Sequence, residues 1–243
     1  MMGRNGAVKT LASSLVGGLA LFVTAGCAPA GVDDAVLESF SLDTFSGDWY
    51  DSSERAGDVN FRGERVGDLC GFDSDIRDWG SPVGPPELVI RDGNLTEQTV
   101  FSALYSSSGG DGIDELFDAL SAELDRCSQD DFFNSTDDGI LISESVTYDV
   151  RRITSTENLI GVEGDLVLVF DYVRVEKSSL INTNNNVTDD DEYESSGRVI
   201  VIGAGDRVLL VTSSGRSWEN YGKAPSLSEQ NRVIANQLTS ALG

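Results

Sequence analysis

The stretch Gly197-Arg198-Val199-Ile200-Val201-Ile202-Gly203-Ala204-Gly205-Asp206-Arg207-Val208-Leu209-Leu210-Val211-Thr212 decides the fold. Its two apolar, β-branched runs, Arg198 to Ile202 and Arg207 to Thr212, flank Gly203-Ala204-Gly205-Asp206, which predicts two strands joined in a tight hairpin. Upstream, Asp165 to Glu176 reads as a strand with apolar residues on both faces. Leu166, Leu168, Phe170 and Tyr172 share one side, and Val167, Val169, Val173 and Val175 the other. A strand buried on both faces belongs in the middle of a sheet. Between these segments, Ser178 to Gly197 is polar and reads as a long loop.

Working further outward, Ile140 to Ile153 forms another β-rich run after the acidic turn Asp137-Asp138-Gly139. Glu87 to Arg91 and Gln98 to Tyr105 read as strands around Asp92-Gly93-Asn94, residues that tolerate positive φ. Two helices stand apart from this pattern. After Asp111 as a cap, Ile113, Leu116, Phe117, Leu120, Leu124 and Cys127 recur at helical spacing. Near the C-terminus, Ser226 and Glu229 match a capping box behind Pro225, and Leu227, Ile234, Leu238 and Ala241 line one side. The expected fold is therefore a single α+β domain, an antiparallel sheet packed against two or more amphipathic helices. Residues 47–86 read as irregular, and Ala35 to Phe45 as a weak amphipathic helix.

The chain carries 41 acidic against 17 basic side chains, a formal net charge of −24, and no histidine. That charge excludes nucleic acid as a partner, because phosphate neutralisation needs the opposite sign. The lack of histidine removes Ser-His-Asp and Cys-His catalysis, histidine metal ligation and a pH switch near neutrality. No nucleophile elbow, supported S-x-x-K dyad or P-loop is present. No cofactor is expected.

At the N-terminus, Arg4 and Lys9 precede an apolar run from Leu11 to Val23, shorter than the ~20 residues of a spanning helix. This is the layout of an export signal. Its end, Thr24-Ala25-Gly26-Cys27, resembles the lipobox of bacterial lipoproteins, although Thr24 stands where Leu, Val or Ile is usual. The resemblance implies that residues 1–26 are removed and that Cys27 becomes a diacylglycerol-bearing N-terminus, anchoring the protein on the extracytoplasmic face of the cell membrane. An ordinary secretory signal and an uncleaved anchor are the alternatives. Residues 27–46 then form the lipidated N-terminus and tether, and 47–243 the domain. With Cys27 lipidated, Cys70 and Cys127 remain as an even pair in an oxidising compartment, where a disulfide is expected and two buried thiols are the alternative. Such a bridge would add roughly 4 kcal/mol in the chain-entropy model.

The lipobox, the helix Ile113 to Cys127 after Thr99-Val100-Phe101, the paired strands through GRVIVIGAGDRVLLVTSSG and the terminal NRVIANQL together resemble actinobacterial lipoproteins related to the extracellular sensor domain of PknH-type Ser/Thr kinases. The likeness covers about Glu87 to the end and is one of element order. It implies an antiparallel α+β domain with a cleft that binds an envelope ligand and has no enzymatic activity. The kinase domain carries two disulfides where this chain offers one.

Several residues invite a chemical role. Trp79, Trp218 and Tyr221 fall near element ends, where amphipathic rings can rim a ligand cleft, with core or lid packing as the alternative. Arg151 stands out on an acidic chain and could clamp an anionic group, or make a local ion pair. The acidic loop 184–194, with Asp189-Asp190-Asp191-Glu192, is a dense set of oxygen ligands without EF-hand spacing, and reads foremost as a solvated hairpin loop. Asn134 to Gly139 is a weaker match of the same kind. The leading expectation is a membrane-anchored, non-enzymatic ligand-binding or sensor domain. An envelope assembly lipoprotein that binds a protein partner is the second, and a carboxylate-based cell-wall hydrolase the third.

Overall fold

The computed structural model describes residues 34–56, 76, 78–107, 112–126, 131–137, 140–153, 166–182 and 187–242. In chain order the elements are α1 (Asp34–Ser39), a 3₁₀ turn (Leu42–Thr44), β1 (Tyr50–Asp51), α2 (Ser53–Ala56), β2 (Gly80–Pro82), β3 (Glu87–Asp92), β4 (Thr96–Ser107) and α3 (Ile113–Arg126). There follow β5 (Asp131–Asp137), β6 (Ile140–Arg152), β7 (Val167–Asn182), β8 (Val187–Ala204), β9 (Arg207–Ser217) and α4 (Ser228–Leu242).

One antiparallel sheet of nine strands runs β1-β3-β4-β9-β8-β7-β6-β5, with β2 paired to β4. This corrects the α+β expectation. The molecule is dominated by its sheet, with strands of up to 18 residues against helices of at most 15. The physical reason lies in the hairpins. Their ladders continue past the apolar segments, because each strand hands its free backbone groups to the next regardless of side chain.

The loop expected at 178–197 is the clearest case. β7 and β8 remain paired from Val167↔Ile202 out to Asn182↔Val187. β6 follows on the other side of β7, from Arg152↔Phe170 to Ile140↔Asn182. β5, which carried no strand signal, pairs with β6 from Asp131↔Val146 to Asp137↔Ile140. β9 is shorter, and meets β8 only between Ser195↔Arg216 and Ala204↔Arg207. Residues 187–194 of β8 thus extend beyond β9.

Both faces of the sheet centre are buried, as the two-faced pattern of β7 predicts. On one face Leu168, Phe170, Val199, Val201 and Leu210 pack with Leu116, Phe117 and Leu120 of α3. On the other, Val169, Ile200, Ile202, Leu209 and Val211 pack with Ile234, Ala235 and Leu238 of α4 and with Leu37 of α1. Gly203 lets α3 approach, since a Cβ there would lie 2.7 Å from Ile113 Cδ1 and 3.0 Å from Phe117 Cε2. The β8–β9 turn has Gly205 at φ 57°, a conformation open to glycine at little cost.

One local expectation also changes. Helix α4 begins at Ser228, and Asn231 N donates to Leu227 O. The proposed box therefore does not close: Ser226 Oγ accepts from Ser228 N at 3.4 Å, while Glu229 pairs with Arg91 at 2.9 Å. That pair fastens α4 to β3, and the Arg91 guanidinium also lies 4.9 Å from the ring centroid of Trp49, just before β1. An arginine offering a charge-assisted bond outcompetes a local bond from one backbone N–H.

Candidate functional site

The four residues expected to line one cleft are dispersed. Trp79 is 6% exposed and lies in the core with Ile76, Leu88 and the α3 residues, so its ring is not available to a ligand. Here the packing alternative wins, because Ile76 and Trp79 both join that core. Arg151 is an exposed residue of β6, opposite Asp171 in the ladder. Trp218 and Tyr221, by contrast, share the segment that follows β9 and are 45% and 64% exposed. Cys27, Cys70 and Cys127 lie outside the described residues.

The 218–224 segment is held by the part of β8 that outruns β9. Asn220 Oδ1 accepts from Glu192 N at 2.8 Å, and Tyr221 N donates to Glu192 O at 2.7 Å. Asn220 Nδ2 donates to Asp191 Oδ1 at 2.7 Å and Tyr221 OH to Asp190 O at 3.3 Å. Further on, Ala224 N donates to Glu194 Oε1 at 3.1 Å. At the other side Trp218 N donates to Leu95 O at 2.8 Å, which joins the segment to the β3–β4 turn.

Leu95 is itself 52% exposed. It and Tyr221 are the two non-glycine residues with positive φ among the described residues, each at 61°. A side chain in that region costs roughly 1–2 kcal/mol. Here the surrounding hydrogen bonds hold two such residues in place, with large apolar side chains turned to solvent. Arg216 lies over the Trp218 ring, 4.0 Å from its centroid. Leu95 and Trp218, joined by a backbone hydrogen bond, and Tyr221, three residues on, are therefore exposed along one rim.

Acidic groups border this rim without converging. Along β8, Asp189 and Asp191 point to one face and Asp190 and Glu192 to the other. Asp190 Oδ1 accepts from Ser179 Oγ at 2.7 Å, and Glu192 pairs with Lys177 at 2.9 Å. The bond to Glu192 and its charge hold the Lys177 ammonium above its ordinary range. Asp189-Asp190-Asp191-Glu192, expected in a solvated hairpin loop, lies in strand β8, and among the described residues no group of three metal-ligating side chains forms. The weaker match at Asn134 to Gly139 falls largely in β5, whose side chains lie outside the described residues.

Two other features are present. Glu176 receives both Arg174, in a close ion pair, and Arg216, at 3.5 Å. A groove of about 380 Å³ lies between the sheet and the irregular segment, bounded by Leu37, Phe40, Val83, Pro86, Leu104 and Glu87. None of the four expected residues lines it. Its Glu87 carboxylate is already engaged, accepting from Leu42 N at 2.6 Å and from Ser41 Oγ at 3.3 Å.

No family model and no curated protein matches the chain. Among solved structures it is similar to the Mll3558 protein from Rhizobium loti, with 14% identity over 61% of this chain and 98% of that one, at a TM-score of 0.27. It is similar to the extracellular domain of PknH from Mycobacterium tuberculosis, with 10% identity over 65% of this chain and 64% of that one, at a TM-score of 0.32. An uncharacterised protein from Rhizobium leguminosarum gives 11% identity over 61% and 98%, at a TM-score of 0.25. All three are distant likenesses.

Proposed function

We propose that the chain is a membrane-anchored extracytoplasmic lipoprotein, with its lipid on Cys27, whose folded domain binds a ligand of the cell envelope without turning it over. The address rests on Thr24-Ala25-Gly26-Cys27 behind its basic and apolar leader. One observation carries the binding role. Three of the six exposed large hydrophobic residues among those described, Leu95, Trp218 and Tyr221, stand on one hydrogen-bonded rim, two of them on strained backbone. Strain of that kind persists where the surroundings enforce it, and binding sites are a common place for it.

The exposure of both rings favours a second reading, recognition of a protein rather than a small molecule. Tryptophan and tyrosine anchors are typical of protein interfaces, whereas small ligands are taken into concave sites.

Intact mass of the protein extracted from its native membrane tests the address. A species beginning at Cys27 with a diacylglycerol adduct supports it, and an unlipidated chain overturns it. Tryptophan emission during titration with envelope glycans, lipids and proteins tests the binding role. A change abolished by Trp218→Phe supports it, and a signal insensitive to that substitution overturns it.

A further inference from the structure

We propose that the rim formed by Leu95, Trp218 and Tyr221 docks a basic, apolar-containing segment of another protein. The inference rests on the binding role proposed above and names the class of its partner.

Charge complementarity selects the class. Asp190, Asp191, Glu192 and Glu194 bond the segment and Glu219 lies within it, while its nearby cations include Arg216, Lys177 and Lys223. Lys177 is paired with Glu192, and Arg216 reaches Glu176. The local balance is negative on a chain whose formal charge is −24. An anionic ligand or a second copy of this chain meets repulsion there, while a lysine- or arginine-bearing segment is attracted.

The rings suit the same partner. A guanidinium or ammonium is drawn to the face of tryptophan or tyrosine within about 6 Å of its centroid. Arg216 already occupies such a position on Trp218, and the residue is still 45% exposed. Tyr221, at 64%, offers a second ring beside the backbone of Asp190. Leu95 supplies an apolar contact for the uncharged residues of the segment. The rim is fixed in advance by the hydrogen bonds of Asn220 and Tyr221 to β8, so little ordering cost falls on binding.

The test titrates the full chain into a fluorescein-labelled heptapeptide of alternating lysine and valine at physiological ionic strength, read by anisotropy. Saturable binding is expected, weakened by about tenfold or more in Trp218→Ala and in Tyr221→Ala, the range of interface anchors. Asp190→Asn with Asp191→Asn should weaken it and flatten its salt dependence, since asparagine keeps an oxygen that can accept the local bonds. Asp114→Asn with Glu115→Gln, on exposed positions of α3, removes the same charge elsewhere and should leave binding within twofold. An unchanged thermal midpoint shows that each variant is folded, and Tyr221, more exposed than Trp218, gives an independent arm.

Equal weakening by the α3 pair would mean general attraction to an acidic protein and overturns the proposal. Failure of the peptide, with Trp218-dependent binding of a neutral envelope glycan, overturns the basic partner and leaves the binding role standing. Failure of both removes the inference together with the reading it rests on.

Discussion

Asn220 occupies the place of a missing strand beside Glu192. Its side-chain oxygen accepts the Glu192 N–H at 2.8 Å, and the next residue's N–H donates to Glu192 O at 2.7 Å. β9 has ended at Ser217, so this segment satisfies backbone groups that an edge would otherwise expose.

Asn220→Ala removes that acceptor at an exposed site where water can replace it. Stability should fall by about 1 kcal/mol. Amide hydrogen exchange should show its largest acceleration at Glu192 and Tyr221, and protection at Glu192 equal to wild type would refute the role.

Gly197 lies opposite Tyr172 in the β7–β8 ladder, and a Cβ at Gly197 would fall within the contact radius of the Tyr172 ring. Gly197→Ala should therefore cost about 1–3 kcal/mol. In a double-mutant cycle by urea unfolding, Tyr172→Ala should remove most of that penalty. Additive losses would show that the glycine serves some other end.

Leu95 holds a left-handed backbone that asparagine accepts more readily. Leu95→Asn should raise the unfolding free energy by about 0.5–1 kcal/mol while weakening capture of the basic peptide. A variant that is both more stable and fully competent in binding would remove Leu95 from the docking rim.

The Lys177–Glu192 pair gives a pH signature. The ammonium's pKa is raised in the folded state above the ordinary 10.5, chiefly by the hydrogen bond to Glu192 and then by its charge. Its stabilising effect is thus fully present below that ordinary value and is lost as pH rises through the raised one. Chemical denaturation between about pH 9 and 12 should show a steeper loss for wild type than for Lys177→Gln, and parallel curves would contradict the pairing.

The sequence by itself determined the elements whose patterns are local. Short apolar, β-branched runs bounded by turn residues placed the strands at 198–202, 207–212, 87–91 and 98–105, and the 3.6-residue stripe from Ile113 placed α3 to within a residue or two. Such patterns suffice because composition, bounding turn residues and spacing are all local. The same reading put Trp218 and Tyr221 near an element end, and they follow β9 as exposed residues.

Tertiary structure decided the rest, for a physical reason that recurs. Ser178 to Asn182 and Val187 to Gly197 carry polar side chains, yet they are strand because backbone ladders are completed by neighbours distant in sequence. Trp79 went to the core because Leu88 and α3 left a face there to be covered, and Glu229 turned from its own helix to Arg91 for a stronger bond. The hydrogen bonds that place Leu95, Trp218 and Tyr221 on one rim likewise depend on where β9 stops relative to β8, a register that no local pattern specifies.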